Sequence, residues 1–277
     1  MKPFSLNIGG KLKVFDRPLI MGILNVTDDS FYSASRTMSS DEIKKKAALM
    51  LEEGVDIIDI GACSTRPGSL AVTEEKELNG VLKGLEIVRC LDREIMTSVD
   101  TFRSSVAESA IENGASIVND ISGGMGSEDM FETIAKLKVP YVLTASEGIE
   151  NVSKENDSDD ITAETLQFFS QKIIRLRMAG VSDIIVDPGV GFSKSLNDNY
   201  RLLKNINLIC QVLDLPVLVG LSRKSLITKI LEVDPSEALN GTTALNAISL
   251  LQGAAILRVH DVRAAFETRE LFCKFEF

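Results

Sequence analysis

The 277-residue sequence is poor in the residues that build disulfides and zinc sites. It has four cysteines, which are widely separated and form no Cys-x-x-Cys pair. This spacing argues against a zinc site and favours a reducing compartment, because disulfide-rich chains are typical of oxidising ones. We therefore expect a cytoplasmic protein.

Long apolar runs and basic blocks are also missing. No apolar run approaches the ~18 residues of a membrane helix, and the first residues contain no signal-peptide pattern. The formal net charge is −10, with no long block of Lys or Arg. Such a chain is a poor partner for nucleic acid or an anionic membrane, so we expect neither. An anionic small molecule would need a few cations gathered in a cleft.

What the sequence does contain is a repeated pattern in which a short β-branched run ends in an aspartate. Four such runs end at Asp59, Asp100, Asp120 and Asp187. Runs of this kind are typical of strands buried on both faces of a parallel sheet. Parallel α/β folds bind their ligands at the carboxyl ends of the strands. The pattern therefore predicts one pocket and the end of the sheet at which it lies.

Eight buried strands are predicted, alternating with helix-like segments that end in glycine. The predicted strands cover residues 19–24, 56–60, 95–99, 116–119, 140–143, 183–186, 217–220 and 255–259. This alternation in a chain of ~250 residues or slightly more favours a closed (β/α)8 TIM barrel over an open sheet. Residues 4–15, with Gly9-Gly10 inside, predict an N-terminal β-hairpin that plugs the barrel floor. We expect one domain over 1–277.

One group of residues after the strands offers hydrogen-bond acceptors, an amide and a cation. Its members are Asp100, Asn119, Asp187 and Lys224. Such a set can bind the N–H, NH₂ and C=O groups on the edge of a flat heterocycle. Burying those groups is costly unless each finds a partner, so a polar heterocycle is a better ligand than an apolar one.

A second group suits phosphate or pyrophosphate together with a metal ion. Its members are Asn25, Arg66, Arg258 and His260. Arginine forks match phosphate oxygens, and Mg²⁺ takes one or two protein oxygens plus substrate phosphates. Asp59 and Asp120 are explained equally well as turn or helix-capping residues. Asp120 also follows Asn119 directly, so the two side chains cannot point the same way.

Seven segments resemble the motifs of dihydropteroate synthases, in the same order along the chain. They are MGILNVT (21–27), STRPG (64–68), SVDT (98–101), ND (119–120), DPGVGFSK (187–194), SRKS (222–225) and RVHD (258–261). The resemblance runs from about residue 19 to residue 263, and the STRPG and SRKS segments separate this family from its relatives.

The resemblance implies an enzyme of folate biosynthesis that joins 6-hydroxymethyl-7,8-dihydropterin pyrophosphate to 4-aminobenzoate, releasing pyrophosphate. By motif, the pterin would be bound by Asp100, Asn119, Asp187 and Lys224. The pyrophosphate would be bound by Asn25 with Mg²⁺, and by Arg66, Arg258 and His260. The aminobenzoate pocket would comprise Thr65, Arg66, Pro67, Phe192, Lys194 and Ser225. Asp100, Lys224 and Arg258 would be catalytic, and the enzyme would be a homodimer.

The sequence departs from the family pattern at three places. Asp28 replaces a proline of the first loop, and Cys63 stands where the family has glutamate before the STRPG segment. After the fifth strand, residues 143–147 read LTASE in place of a Met-His pair. These changes affect the pocket floor and the first loop.

Three other functions remain open at this stage. A methyltetrahydrofolate-dependent methyltransferase of the same fold would share the pterin residues, but it would leave the cations unexplained. A Schiff-base aldolase would use Lys224, although a lysine beside Arg223 and a rim of carboxylates shows no sign of the necessary desolvation. A non-catalytic pterin-binding barrel is the third alternative.

Overall fold

The computed structural model of the chain describes residues 2–26, 38–62, 72–146 and 157–276. The strands in these ranges are β1 Phe4–Ile8, β2 Lys11–Phe15, β3 Leu19–Asn25, β4 Ile57–Gly61, β5 Met96–Asp100, β6 Ile117–Asp120, β7 Tyr141–Thr144, β8 Ile184–Asp187, β9 Leu218–Val219 and β10 Ile256–Val259. The predicted hairpin is present, since β1 and β2 pair antiparallel.

Helices connect the strands and form the outer layer. They are α1 Ser40–Glu52, α2 Glu74–Leu91, α3 Ser104–Glu112, α4 Met130–Leu137, α5 Ile161–Ala179, α6 Leu196–Lys204, α7 Ile206–Leu213, α8 Ser225–Leu231, α9 Leu239–Leu251 and α10 Val262–Glu276, with a short 3₁₀ turn at Pro235–Glu237. Across the described ranges, no helix combines the length and the apolar character that crossing a membrane requires.

The eight strands β3–β10 form one parallel sheet that closes on itself. Their spatial order is β8-β7-β6-β5-β4-β3-β10-β9. A single bridge between Val186 and Val217 joins the two ends, and the Val186 amide donates to the Pro216 carbonyl at 3.0 Å. The predicted (β/α)8 barrel is confirmed. Seven of the eight barrel strands begin one residue later than predicted, within the usual uncertainty of strand boundaries.

The lower half of the barrel interior is an apolar layer closed by the hairpin. Inward-facing side chains from all eight strands pack there with Leu6 and Ile8 of β1. The barrel residues of this layer are Leu19, Met21, Ile57, Met96, Ile117, Val142, Ile185, Leu218, Ala255 and Ile256. Leu6 is 1% exposed, so the hairpin covers the floor as the sequence predicted.

Removing the side chain that closes the floor should destabilise the whole barrel. We expect Leu6→Ala to lower the free energy of unfolding by ~2–4 kcal/mol, because it leaves a cavity in a packed core. Leu12→Ala is the matched control in the same hairpin, since Leu12 is 71% exposed. That variant should change stability by less than ~0.5 kcal/mol. Urea denaturation measures both, and equal effects of the two variants would contradict the sealing role of the hairpin.

Candidate active site

The upper half of the barrel interior is polar because each strand alternates its side chains. Residues two positions beyond an apolar floor residue face inward again, closer to the carboxyl end of the sheet. On β4, β6 and β8 the floor residues Ile57, Ile117 and Ile185 are thus followed by polar inward residues. These polar residues are Asp59, Asn119 and Asp187, and each is at most 5% exposed.

Arg258 extends from β10 across this interior and links two carboxylates. Its Nε donates to Asp59 Oδ2 at 2.7 Å, and its Nη2 donates to Asp100 Oδ2 in a short hydrogen bond. Burial acts to lower the pKa of the guanidinium, but the charges of Asp59 and Asp100 outweigh it and raise that pKa. From sequence, Arg258 was assigned to the residues that are predicted to bind phosphate. The structure places it against Asp100, which was predicted for the heterocycle, and against Asp59, which was not.

Asp100 lies at the end of β5 with a side chain that is only 13% exposed. Burial raises its pKa from 3.8 to about 7, because the charged form loses its hydration. Arg258 lowers this pKa and the Asp59 carboxylate raises it, which leaves a net increase. The carboxyl group can therefore change its charge near neutral pH.

Asp187 and Lys224 form the opposite side of the cluster. Asp187 Oδ1 accepts from the Gly189 amide at 2.8 Å, and burial raises the pKa of its carboxyl group. Lys224 Nζ donates to the Val190 carbonyl at 2.7 Å and lies 3.8 Å from the centroid of the Phe192 ring. Burial lowers the pKa of Lys224 to about 7. The sequence-based expectation that Lys224 is not desolvated is therefore wrong.

Asn25 and Asp100 lie on either side of Gly61, the last residue of β4. A Cβ atom placed on Gly61 would be 3.6 Å from both Asn25 Oδ1 and Asp100 Oδ2. These two oxygens therefore border the space next to Gly61, and any side chain at position 61 would make that space smaller. His260 lies at the rim, where its exposed ring places Nδ1 3.1 Å from Ser222 Oγ.

The residues predicted for the aminobenzoate pocket have different surroundings. Phe192 is buried under Lys224, and Ser225 is exposed at the start of α8. Lys194 Nζ donates to the carbonyls of Ala145, Gly189 and Phe192, so it connects the loop after β7 to the loop after β8. Thr65, Arg66 and Pro67 lie outside the described residues, as do Asp28 and Cys63.

One ion pair not identified from sequence anchors the segment that carries Lys224. Arg223 has a left-handed backbone (φ +57°) and makes two bonds to Asp261, Nε to Oδ2 at 2.9 Å and Nη2 to Oδ1 at 2.7 Å. Its Nη1 also donates to the carbonyls of Pro235 and Ser236. The fold separates these two adjacent charges, since Lys224 reaches the Val190 carbonyl and the Phe192 ring while Arg223 is fixed against Asp261 and the 3₁₀ turn.

Two further buried carboxylates hold loops next to the site. Asp120 accepts from the Ser122 amide at 2.7 Å and from the Tyr141 hydroxyl at 2.6 Å, which agrees with the turn interpretation. Glu77 of α2 accepts from Thr101 Oγ1 at 2.6 Å and pairs with Arg103. Little in the sequence indicates that Glu77 is buried, because the first turn of a helix that begins Glu-Glu-Lys-Glu is usually exposed to solvent.

Ionisation of Asp100 should reduce stability. Its pKa is higher in the folded protein than the ordinary value of 3.8, so the folded state binds this proton more tightly. The stability from that proton is full below pH ~4 and is lost as the pH rises to ~7. Asp100→Asn cannot ionise. The difference between the unfolding free energy of Asp100→Asn and that of the wild type should therefore increase by ~1–3 kcal/mol from pH 5 to pH 8, in favour of the variant.

Urea denaturation across this pH range measures that gain. Lys224 is present in both proteins, but its pKa depends on Asp100, so the difference reports the ionisation of Asp100 together with its interaction with Lys224. A difference that stays flat or shrinks with rising pH would show that Asp100 is not perturbed in this direction.

Known proteins match this chain over most of its length. A family model described as pterin binding enzyme matches residues 21–260. The dihydropteroate synthase of Escherichia coli (strain K12) is 39% identical over 253 residues, which is 90% of this chain and 89% of that protein.

Solved structures show the same relationship. Dihydropteroate synthase from Xanthomonas albilineans with 4-aminobenzoic acid has a TM-score of 0.89 and 34% identity, covering 98% of both chains. The Coxiella burnetii dihydropteroate synthase in complex with pteroic acid has a TM-score of 0.88 and 31% identity, again covering 98% of both. The chain therefore belongs to the pterin-binding enzymes and, among them, to the dihydropteroate synthases.

Proposed function

We propose that the chain transfers the pterin methylene group of 6-hydroxymethyl-7,8-dihydropterin pyrophosphate to the amino nitrogen of 4-aminobenzoate. The bond from the methylene carbon to the pyrophosphate oxygen breaks, a carbon–nitrogen bond forms, and the amine loses a proton. The products are 7,8-dihydropteroate and pyrophosphate. The observation that carries this proposal is the buried cluster in which Asp100 and Asp187 lie with Arg258 and Lys224 at the carboxyl end of the barrel.

The pterin would occupy the interior between Asp100, Asn119, Asp187 and Lys224. The carboxylates accept hydrogen bonds from ring N–H and NH₂ groups, and Lys224 can donate to a ring carbonyl or nitrogen. As pyrophosphate departs, the methylene group gains positive character. Asp100 would stabilise that charge, which is the kind of electrostatic contribution that usually dominates catalysis.

The pyrophosphate would lie nearer the mouth, against Asn25, Arg66, Arg258 and His260. Arg258 stays charged at any physiological pH, so it can offset the negative charge that builds on the leaving group. His260 is exposed at the rim, where a phosphate group could reach it.

We also propose that Mg²⁺ accompanies the pyrophosphate. The described residues hold no group of three His, Cys, Asp or Glu side chains that would bind a metal alone. The amide oxygen of Asn25 fits an ion that takes one or two protein oxygens and completes its shell with phosphate and water. When bound, Mg²⁺ would neutralise charge on the leaving group.

The aminobenzoate would bind above the pterin, between Phe192, Ser225 and the segment with Thr65, Arg66 and Pro67. An aromatic amine is neutral at pH 7, so it needs no strong base to attack. Lys194 supports this pocket through the backbone carbonyls it holds.

We further propose a single-domain, cytoplasmic homodimer. In the described parts of the chain, Cys90, Cys210 and Cys273 are free thiols, consistent with a reducing compartment. Exposed apolar side chains on α7, α8 and α9 would support an interface between two copies. They are Leu208, Val212, Ile230, Leu231, Ile248 and Leu251.

A pyrophosphate-release assay tests the proposed reaction. The protein should release pyrophosphate from the dihydropterin substrate at a rate that depends on 4-aminobenzoate, and chelation of Mg²⁺ should lower that rate by at least about tenfold. Mass spectrometry should identify dihydropteroate in an amount equal to that of the released pyrophosphate. Pterin binding without aminobenzoate-dependent release would instead support a non-catalytic pterin-binding barrel.

Lys224 should contribute to pterin affinity. We expect Lys224→Ala to weaken dihydropterin binding by about 10–100-fold, because it leaves buried acceptors without their cation. Lys229→Ala is a control on α8, the helix that begins directly after Lys224, since Lys229 is exposed in its last turn. Isothermal titration calorimetry measures both, and unchanged affinity in Lys224→Ala would remove this residue from the pterin site.

A further inference from the structure

Arg223 has a backbone conformation that is unusual for a residue with a side chain. It is the third residue of a tight turn in which the Lys224 amide donates to the Leu221 carbonyl at 3.2 Å. Its φ is +57°. Turns with a positive φ at the third position usually have glycine there, because a side chain is strained in this conformation. The chain therefore has a charged residue at a position where glycine would fit without strain.

The other left-handed residues of the described ranges mostly have a simple explanation. Three of the other four non-glycine residues with positive φ end helices, where this conformation is common; they are Lys138, Asp214 and Glu232. Arg223 instead precedes Lys224, the N-cap residue of α8. Strain of this kind persists only where the surrounding structure determines the conformation, and it is frequent at functional sites.

Five polar contacts hold Arg223 in this conformation. Its amide donates to Thr242 Oγ1 at 3.1 Å, and its Nη1 donates to the carbonyls of Pro235 and Ser236. Its Nε and Nη2 donate to the two carboxylate oxygens of Asp261, so this pair fixes an orientation as well as a distance. Asp261 lies directly before α10. The turn after β9 is thus tied to the segment after β10.

The turn sets the direction in which the Lys224 side chain leaves the backbone. Lys224 is extended, with φ −78° and ψ 165°. Its side chain crosses the backbone of Gly191, where an added Cβ would overlap Lys224 Cδ, and then donates to the Val190 carbonyl. The path to the barrel interior is therefore narrow. A change in the backbone at Arg223 would move Lys224 out of it.

We propose that Arg223 and Asp261 are positioning residues whose ion pair holds this turn and sets pterin affinity through Lys224. This inference rests on the function proposed above. All three guanidinium nitrogens of Arg223 already donate to protein oxygens, so the pair acts without a contact to the substrate.

A double-mutant cycle tests this, with 6-hydroxymethyl-7,8-dihydropterin as the ligand. We expect Asp261→Asn to bind it about 5–50-fold more weakly, because an amide keeps the shape of the carboxylate but loses its charge and one acceptor. In a Lys224→Ala background the same change should alter the affinity by less than about twofold, since the side chain through which the pair acts is absent. Isothermal titration calorimetry measures all four proteins. The ligand has no pyrophosphate, so a shift of the neighbouring His260 does not enter the measurement.

Two outcomes of the cycle would overturn the proposal. An equal loss of affinity with and without the Lys224 side chain would show that Asp261 acts on the site independently of Lys224. An Asp261→Asn affinity within about twofold of the wild type would show that the pair has no part in binding.

Two further variants separate the ion pair from the backbone and from the loss of charge. Arg223→Gly adopts the left-handed conformation without strain but cannot form the pair. It should weaken binding as Asp261→Asn does, and it provides the same cycle if that variant does not fold. Wild-type affinity in Arg223→Gly would show that the backbone conformation alone positions Lys224, which would overturn the role of the pair.

Glu267→Gln is the matched control for the loss of a carboxylate. It breaks an exposed ion pair with Arg263 on α10, the helix that follows Asp261. Because exposed pairs contribute little, the affinity should stay within about twofold of the wild type. A loss as large as that in Asp261→Asn would show a general effect of charge and would count against the proposal.

Hydrogen exchange in the ligand-free protein separates this inference from the function on which it rests. The Lys224 amide closes the turn, so it should exchange at least about fivefold faster in Asp261→Asn than in the wild type or in Glu267→Gln. Unchanged exchange would refute the hold of the pair on the turn, whatever the protein binds. A wild type that binds no dihydropterin, beside faster exchange in Asp261→Asn, would refute the proposed function and the effect on pterin affinity, but not the hold on the turn.

Discussion

Arg258 lies between the carboxylates of Asp59 and Asp100, and the charge balance of the site depends on this contact. Carboxylates in a desolvated interior would repel one another and take up protons without a nearby cation. The guanidinium offsets part of that repulsion, and the pKa of Asp100 still rises to about 7. Because buried ion pairs add little net stability, the barrel must gain its stability elsewhere.

That stability comes from the lower half of the same strands. The alternation of side chains places Ile57 two residues before Asp59 and Ile185 two residues before Asp187, so each strand contributes both to the apolar floor and to the polar site. A shift of one residue in strand pairing would expose the floor residues to the helices and turn the carboxylates outward. Register in this barrel is therefore a condition for the site as well as for the core.

The sequence predicted the barrel, the hairpin and the strand ends, because these depend on local periodicity and on glycine at helix ends. It did not predict which side chains pair across the interior. Arg258 and Asp59 are 199 positions apart, and their contact follows from barrel closure, not from any local pattern. Lys194 is similar, since its bonds to backbone carbonyls depend on how two loops approach each other. Sequence reading therefore misses contacts between side chains that lie far apart along the chain.

The hairpin beneath the barrel has a kinetic consequence. Because Leu6 and Ile8 seal the floor, reactants and products must all pass through the mouth at the carboxyl end of the strands. A ligand bound at the depth of Asp187 can enter only while the space above it is free, and it can leave only after that space has emptied. If the pterin binds deep and the aminobenzoate above it, the architecture imposes a compulsory order of addition: the pterin substrate first, the amine second, and release of the joined product through the same opening.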